Sequence, residues 1–286
     1  MKLVKYHSSE GGDRVGLLQD DHVLPLDLTG GQYRTLTDIL EADDPAAVVE
    51  LLVDFQARKL PLGEVRLLAP MDRHEVWAAG VTYVRSRKAR MDESASAAAF
   101  YDKVYEAPRP ELFLKATPHR VAGPDQPVRV RRDSQWTVPE PELALVLNSR
   151  LNLVGFTIGN DMSARDIEGE NPLYLPQAKI YSQCCALGPC ITLRDFMPPR
   201  EQVTIRMGIV RKLHLVYEGS ISADQMARGY TDLIGWLARE NTFPEGVILL
   251  TGTGIVPPDD FALQAGDTIS ISIEGIGLLA NPVVCG

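Results

Sequence analysis

Eight short apolar runs recur along the chain between glycine and proline punctuation, at residues 76–81, 112–115, 143–147, 153–158, 190–193, 203–210, 247–251 and 268–273. They read as strands. Helical signals are few. Asp44-Pro45 opens one helix, with Asp as N-cap, Pro in the first turn, and Val48, Val49, Leu51, Leu52 and Phe55 at helical spacing. Residues 224–239 give a second, with Leu233, Ile234 and Leu237 on one face. Residues 94–105 read as a further helix or a mobile segment. Strands outnumber helices and no regular βαβ alternation links them. The fold class is therefore α+β and β-rich, not a doubly wound sheet.

The first 60 or so residues look like a small separate α/β unit. Runs 2–6, 14–18 and 22–26 read as short strands broken by Gly and Asp, followed by the helix from Asp44. Leu60-Pro61-Leu62-Gly63 is the best linker, so the expected domains are 1–63 and 64–286. No repeat or low-complexity tract interrupts them.

Composition bounds the function. In 286 residues, 29 Lys+Arg face 38 Asp+Glu, a net charge of −9. That balance argues against nucleic acid or an anionic membrane as main partner. The surplus carboxylates serve either solubility or the holding of a cation. Residues 1–14 lack the apolar core of a signal peptide, and no run reaches the roughly 18 apolar residues of a spanning helix. Cys184, Cys185, Cys190 and Cys285 show neither CxxC spacing nor a nearby histidine. They read as packing residues in a reducing, cytoplasmic setting rather than a zinc site.

The most informative segment is Glu140-Pro141-Glu142-Leu143-Ala144-Leu145-Val146-Leu147. On a strand, Glu140 and Glu142 share one face, and Leu143, Leu145 and Leu147 the other. Two carboxylates side by side repel unless solvent or a cation lies between them. Pro141 removes a ladder donor, which places this strand end at an edge or a mouth. Taken alone, the pair reads as solvated strand-edge charge. The run 155–161 shifts the balance, because its polar face ends in a third carboxylate, Asp161. Three carboxylates with room for water suit a hard divalent cation, Mg2+ before Ca2+ or Mn2+.

Other polar positions are weaker signals. Lys179 is either a surface lysine or a cation for a substrate carboxylate or carbonyl. Glu111 opens an apolar strand and is either a solvated end or, facing a metal cavity, a general acid/base. Thr251-Gly252-Thr253-Gly254 reads as a strand end entering a glycine turn that can bind an oxyanion, without the Gly-Lys-Ser/Thr of a phosphate loop. Arg85, Arg87, Lys88 and Arg90 form a basic run just after Gly80, Thr82 and Tyr83, either a solvated loop or a lid attracting an anion. The histidines are scattered, and no Gly-x-Ser-x-Gly elbow supports a serine hydrolase.

In order along the chain come Gly80-x-Thr82-Tyr83, Glu111-Leu112-Phe113-x-Lys115, Glu140-x-Glu142-Leu143-Ala144 and Gly159-Asn160-Asp161-Met162-Ser163-Ala164-Arg165-Asp166. Lys179, Leu187-Gly188-Pro189, Leu250-Thr251-Gly252-Thr253, Gly266-Asp267 and Ile273-Glu274-Gly275-Ile276-Gly277 follow. From about residue 75 onward this ensemble resembles the fumarylacetoacetate hydrolase superfamily. The resemblance implies a mixed β-roll catalytic domain and a divalent metal on Glu140, Glu142 and Asp161. It implies substrate binding by Lys179 and Thr253, with Thr82 and Tyr83 as further candidates. It also implies chemistry on a small anionic 2-oxo acid through an enolate or carbanion equivalent.

One departure is informative. Hydrolytic members carry a lid His and Glu that activate water, and here Ser86 and Ala89 stand at those places. The stretch 169–179 instead looks like the branch of 2-keto-3-deoxy-D-arabinonate dehydratases. The leading expectation is a Mg2+-dependent dehydratase of a 2-keto-3-deoxy sugar acid, yielding 2,5-dioxopentanoate, with Glu111 and Lys179 as catalytic residues. The rivals are a C–C hydrolase of acylpyruvates and a non-catalytic 2-oxo acid binder. By resemblance, a homodimer or homotetramer is expected.

Overall fold

The computed structural model describes residues 1–8, 12–80, 82–83 and 107–286. Among them the chain is strand-rich, with mixed sheets and a few short helices. The largest sheet has 12 strands. Ten of them run in the order Leu60–Pro61, His22–Pro25, Asp13–Gln19, Lys2–His7, Cys185–Leu193, Leu153–Asp161, Pro141–Leu147, Val247–Leu250, Glu75–Gly80 and Glu111–Ala116, while Arg66–Leu68 pairs with Lys2–His7 and Val121–Ala122 with Cys185–Leu193 off that path. A five-stranded sheet orders His214–Ser222, Thr204–Arg211, Thr268–Ile273, Gly277–Cys285 and Val128–Val130.

Pro141–Leu147 sits near the middle of the large sheet, antiparallel to both neighbours and buried at every position. Its unbroken apolar run from Leu143 to Leu147 fits a strand covered on both faces. Leu143, Leu145 and Leu147 pack into the main core with Ile205, Ile271 and Leu279 of the five-stranded sheet. Val146 packs in a second cluster with Leu3, Ile39 and Val49. The helices Leu36–Leu40 and Pro45–Leu52 thus cover part of the other face. The N-terminal strands do not form a sheet of their own: Lys2 and Leu3 pair with Thr192 and Ile191, extending the large sheet.

Among the described residues the expected strands are present, with the run at 190–193 extended back to Cys185. Asp44 caps its helix as expected, accepting the Ala47 amide at 3.0 Å. That helix stops at Leu52, before Phe55, because Val53 turns extended and Asp54 pairs with the strand His22–Pro25. The helix expected at 224–239 begins only at Tyr230. Tertiary pairing overrides propensity there: Met226 bridges Tyr83 and the Ala227 amide donates to the Thr82 carbonyl. Residues 85–90 and 94–105 lie outside the described residues. Cys184, Cys185 and Cys190 are buried free thiols and Cys285 is an exposed one. No described helix is long and apolar enough to cross a membrane.

Asp72 ties the N-terminal unit to the rest. Its carboxylate accepts Lys5 Nζ at 2.6 Å and the amide and hydroxyl of Thr37 at 2.8 and 2.9 Å. Burial opposes ionisation, but Lys5 and Thr37 outweigh it and hold the carboxyl below its ordinary value of 3.8. A depressed carboxyl stabilises the fold above its unfolded pKa and loses that contribution as the pH falls through the folded pKa. Asp72→Ala is therefore expected to cost about 1–3 kcal/mol in urea unfolding at pH 7. The difference from wild type should shrink as the pH is taken below about 4.

Candidate active site

The site lies where several strand ends converge. Pro141–Leu147 and Leu153–Asp161 pair antiparallel, with Glu142 opposite Gly159, and this brings Asp161 beside Glu140 and Glu142. Ligand atoms of Glu140, Glu142 and Asp161 all lie within 4.8 Å of one another, and the three side chains are buried. Pro141 marks a mouth rather than an edge, since the strand is central but its partner Val247–Leu250 reaches only to Ala144.

Buried cations offset part of this charge. Lys179 Nζ donates to Glu140 Oε2 at 2.8 Å, Asp161 Oδ2 at 3.3 Å and Ser163 Oγ at 2.6 Å. Lys115 Nζ meets Asp161 Oδ1 at 2.6 Å and donates to the carbonyls of Met162 and Lys179. Arg165 Nη2 donates to Glu140 Oε1 at 2.9 Å. Burial alone would lower the Lys115 pKa, but Asp161 beside it, with Cys184 and Cys185, raises it, so the ammonium persists.

Glu142 is different. Burial first, then the charges of Asp161 and Glu140, push its carboxyl well above the ordinary value, although the Gly252 amide donates to it at 2.5 Å. Gly252 has φ +91, and a Cβ there would stand 2.0 Å from the Thr82 hydroxyl. That hydroxyl in turn donates to the Thr251 carbonyl at 2.6 Å. The glycine turn therefore places a backbone amide on Glu142.

Above the carboxylates is a cavity of about 20 Å3, room for one water-sized body. Glu111, Phe113, Glu168, Thr253, Ala79 and Gly80 complete its wall.

A family model described as fumarylacetoacetate (FAA) hydrolase C-terminal matches residues 75–284. This chain belongs to the fumarylacetoacetate hydrolase family. A second model, Rv2993c-like N-terminal, matches residues 1–70. Among relatives of this family member, the chain is 48% identical over 253 residues to a probable 2-keto-3-deoxyxylonate dehydratase of Haloferax volcanii, covering 87% of this chain and 83% of the other. It is 43% identical over 236 residues to 2-dehydro-3-deoxy-D-arabinonate dehydratase of Saccharolobus solfataricus, covering 81% and 79%. Among solved structures, it matches a 2-keto-3-deoxy-D-arabinonate dehydratase complexed with magnesium and 2,5-dioxopentanoate. The TM-score is 0.84 at 36% identity, covering 100% of this chain and 99% of the other.

The fold of this family member brings Glu111, Glu140, Glu142, Asp161, Lys179 and Thr253 together around one cavity. Thr82 and Tyr83 stand behind the wall, where Thr82 supports the Thr251–Gly252 turn and Tyr83 packs in the core. Three charged residues were not singled out from sequence as site groups. Lys115 shares strand parity with Glu111 and Phe113, so alternation could have found it. Arg165 and Glu168 are carried by the short helix Arg165–Glu170, where no strand parity applies.

Proposed function

We propose that this chain is a Mg2+-dependent dehydratase of a 2-keto-3-deoxy sugar acid, converting 2-keto-3-deoxy-D-arabinonate to 2,5-dioxopentanoate. The observation that carries this reading is the buried Glu140–Glu142–Asp161 cage with Lys179 and Glu111 on the same cavity. The donor set is all oxygen, and Glu142 lacks enough positive charge nearby to ionise readily, so the residues fit a hard divalent cation. Mn2+ or Ca2+ would use the same donors. Bound there, Mg2+ supplies the charge that draws in the carboxylate and 2-oxo group of the substrate and makes its C3 proton acidic.

The chain's own groups do the rest. Lys179, fixed by three acceptors, presents a positive charge to the substrate's oxygens. Thr253 offers a hydroxyl on the cavity wall, and Ala79 and Phe113 keep that wall apolar. Glu111 moves the proton at C3. The names of the two relatives agree on the substrate class. Losing the stereocentres at carbons 2 and 3 makes the D-arabinonate and D-xylonate derivatives one compound. Ser86 and Ala89, at the places of a hydrolase's lid dyad, weigh against C–C cleavage. Incubating the protein with an acylpyruvate and with the sugar acid, each with Mg2+, tests this. Turnover of the sugar acid alone is expected, and cleavage of the acylpyruvate alone would reverse the reading.

Gly80 gives a finer check. It pairs with Glu111, and a Cβ on it would stand 2.0 Å from Glu111 Oε2. Gly80→Ala is expected to displace the carboxyl and lower kcat by about 10-fold or more while Mg2+ binding persists.

The division into 1–63 and 64–286 is supported by the two family matches that meet near it. Buried free thiols fit a reducing cytoplasm. The exposed Leu213 and Leu215 at the edge strand His214–Ser222 fit a homodimer or homotetramer.

A further inference from the structure

The dehydration of a 2-keto-3-deoxypentonate to 2,5-dioxopentanoate needs more than one proton transfer. A proton must leave C3, and the C4 hydroxyl must acquire one to depart as water. The resulting 2-oxo-5-hydroxypent-3-enoate must then lose a proton at C5 and regain one at C3 to reach the 2,5-dioxo level. These transfers act at C3, at the C4 hydroxyl and at C5, on both sides of the departing group, and one carboxyl is poorly placed to serve them all.

The cavity holds two carboxyl groups outside the metal cage, Glu111 and Glu168. They come from different elements, Glu111 from the start of the strand Glu111–Ala116 and Glu168 from the helix Arg165–Glu170. Glu168 is 1% exposed. Three positions before it on the same helical face, Arg165 is buried and fixed to Glu140 at 2.9 Å. That bond sets the rotation of the short helix and turns Glu168 toward the cavity. Lys179 cannot take the second role, because its three ammonium protons already have acceptors in Glu140, Asp161 and Ser163.

Resting on the dehydratase reading, we propose that Glu168 is a second catalytic carboxyl. It is the general acid that gives its proton to the departing C4 hydroxyl, while Glu111 takes the proton from C3. The C3–H bond breaks, and its electron pair forms C2=C3 with charge on the 2-oxo oxygen. That pair then forms C3=C4 as the C4–O bond breaks, and the hydroxyl leaves as water with the Glu168 proton. Glu168 is now a carboxylate and Glu111 a carboxylic acid. Glu168 takes a proton from C5, the electrons shift through C4 and C3, and Glu111 returns its proton to C3. The product is the C4=C5 enol of 2,5-dioxopentanoate, which ketonises in water. Both carboxyls end in their starting states, so no further reagent is needed.

The test compares wild type, Glu168→Gln and Glu111→Gln with Mg2+ in D2O, following dehydration and deuterium entry at C3 of unreacted substrate by NMR. Glu168→Gln is expected to lose at least about 100-fold in dehydration. It should still exchange C3 hydrogen, and its Mg2+ affinity by calorimetry should stay within about two-fold of wild type, since it is no ligand. Glu111→Gln should lose both dehydration and exchange. Dehydration by Glu168→Gln near the wild-type rate would overturn the proposal, as would loss of its exchange together with dehydration. Weakened Mg2+ binding would overturn it too, by making Glu168 a support of the cage. Should the Gln variant not fold, Glu168→Asp carries the same test. It keeps the acid but withdraws it, so slowed dehydration with retained exchange supports the proposal, and matched losses or none overturn it. Wild type that turns over no 2-keto-3-deoxypentonate would sink the dehydratase reading itself, a result distinct from a normal wild type with an unaffected variant.

Discussion

Replacing Glu142 by Gln is expected to abolish turnover and, at the same time, to raise the melting temperature of the metal-free protein. The two effects share one cause. Glu142 is buried beside Glu140 and Asp161, and burial and these charges push its carboxyl well above the ordinary value. Holding that charge without a metal costs stability. Glutamine keeps the shape, and its oxygen can still accept the Gly252 amide that Glu142 accepts now at 2.5 Å. Relief of even about 1 kcal/mol would raise Tm by about 2–4 °C in a domain of this size. Mg2+ should stabilise wild type strongly and the variant little. Altering a group that merely orients a metal ligand costs about 10–100-fold in metal affinity, so removing a ligand charge should cost at least that. Thermal melts in EDTA and in Mg2+ read both effects. A metal-free variant that melts below wild type, yet keeps its Mg2+ shift, would remove Glu142 from the cage.

Glu111→Gln should separate chemistry from binding. Glu111 is only partly buried, stands at a strand start, and is not one of the three clustered carboxylates. The substitution leaves size and most hydrogen-bonding capacity in place. We expect kcat to fall by about 10^2–10^4-fold, the usual worth of a positioned proton-transfer group. KM, Tm and Mg2+ affinity should change little. A fall in Mg2+ affinity matching the fall in kcat would instead place Glu111 in the metal's support. An unchanged kcat would exclude it from the chemistry.

The cluster of three carboxylates was legible because strand parity is a strict rule. Alternation puts Glu140 with Glu142, and the polar face of the following strand ends in Asp161. The same rule holds Lys115, yet neither it nor the helical Arg165 stands out among 29 Lys and Arg until the fold buries it against a carboxylate. Glu168 was not legible. Its helix is six residues long and Ala164 provides no side-chain cap, so the sequence offers neither a boundary signal nor a period to count. The N-terminal unit shows the same divide between local and distant rules. Asp44 announces its helix through local capping chemistry. The pairing of Lys2 with Thr192 joins residues far apart in sequence and leaves no local trace. At 224–229 the local signal misled, because pairing with Thr82 and Tyr83 takes up backbone groups a helix would have used.

In the proposed function, buried carboxylates, with Mg2+, remove water from a 2-keto-3-deoxy acid without breaking its carbon chain. The most direct measurement is 13C NMR of uniformly labelled 2-keto-3-deoxy-D-arabinonate incubated with the protein, first in EDTA and then in Mg2+. No change is expected in EDTA and, with Mg2+, a single five-carbon product with carbonyl signals at carbons 2 and 5. Two shorter fragments, turnover that ignores EDTA, or a substrate untouched in Mg2+ would contradict it.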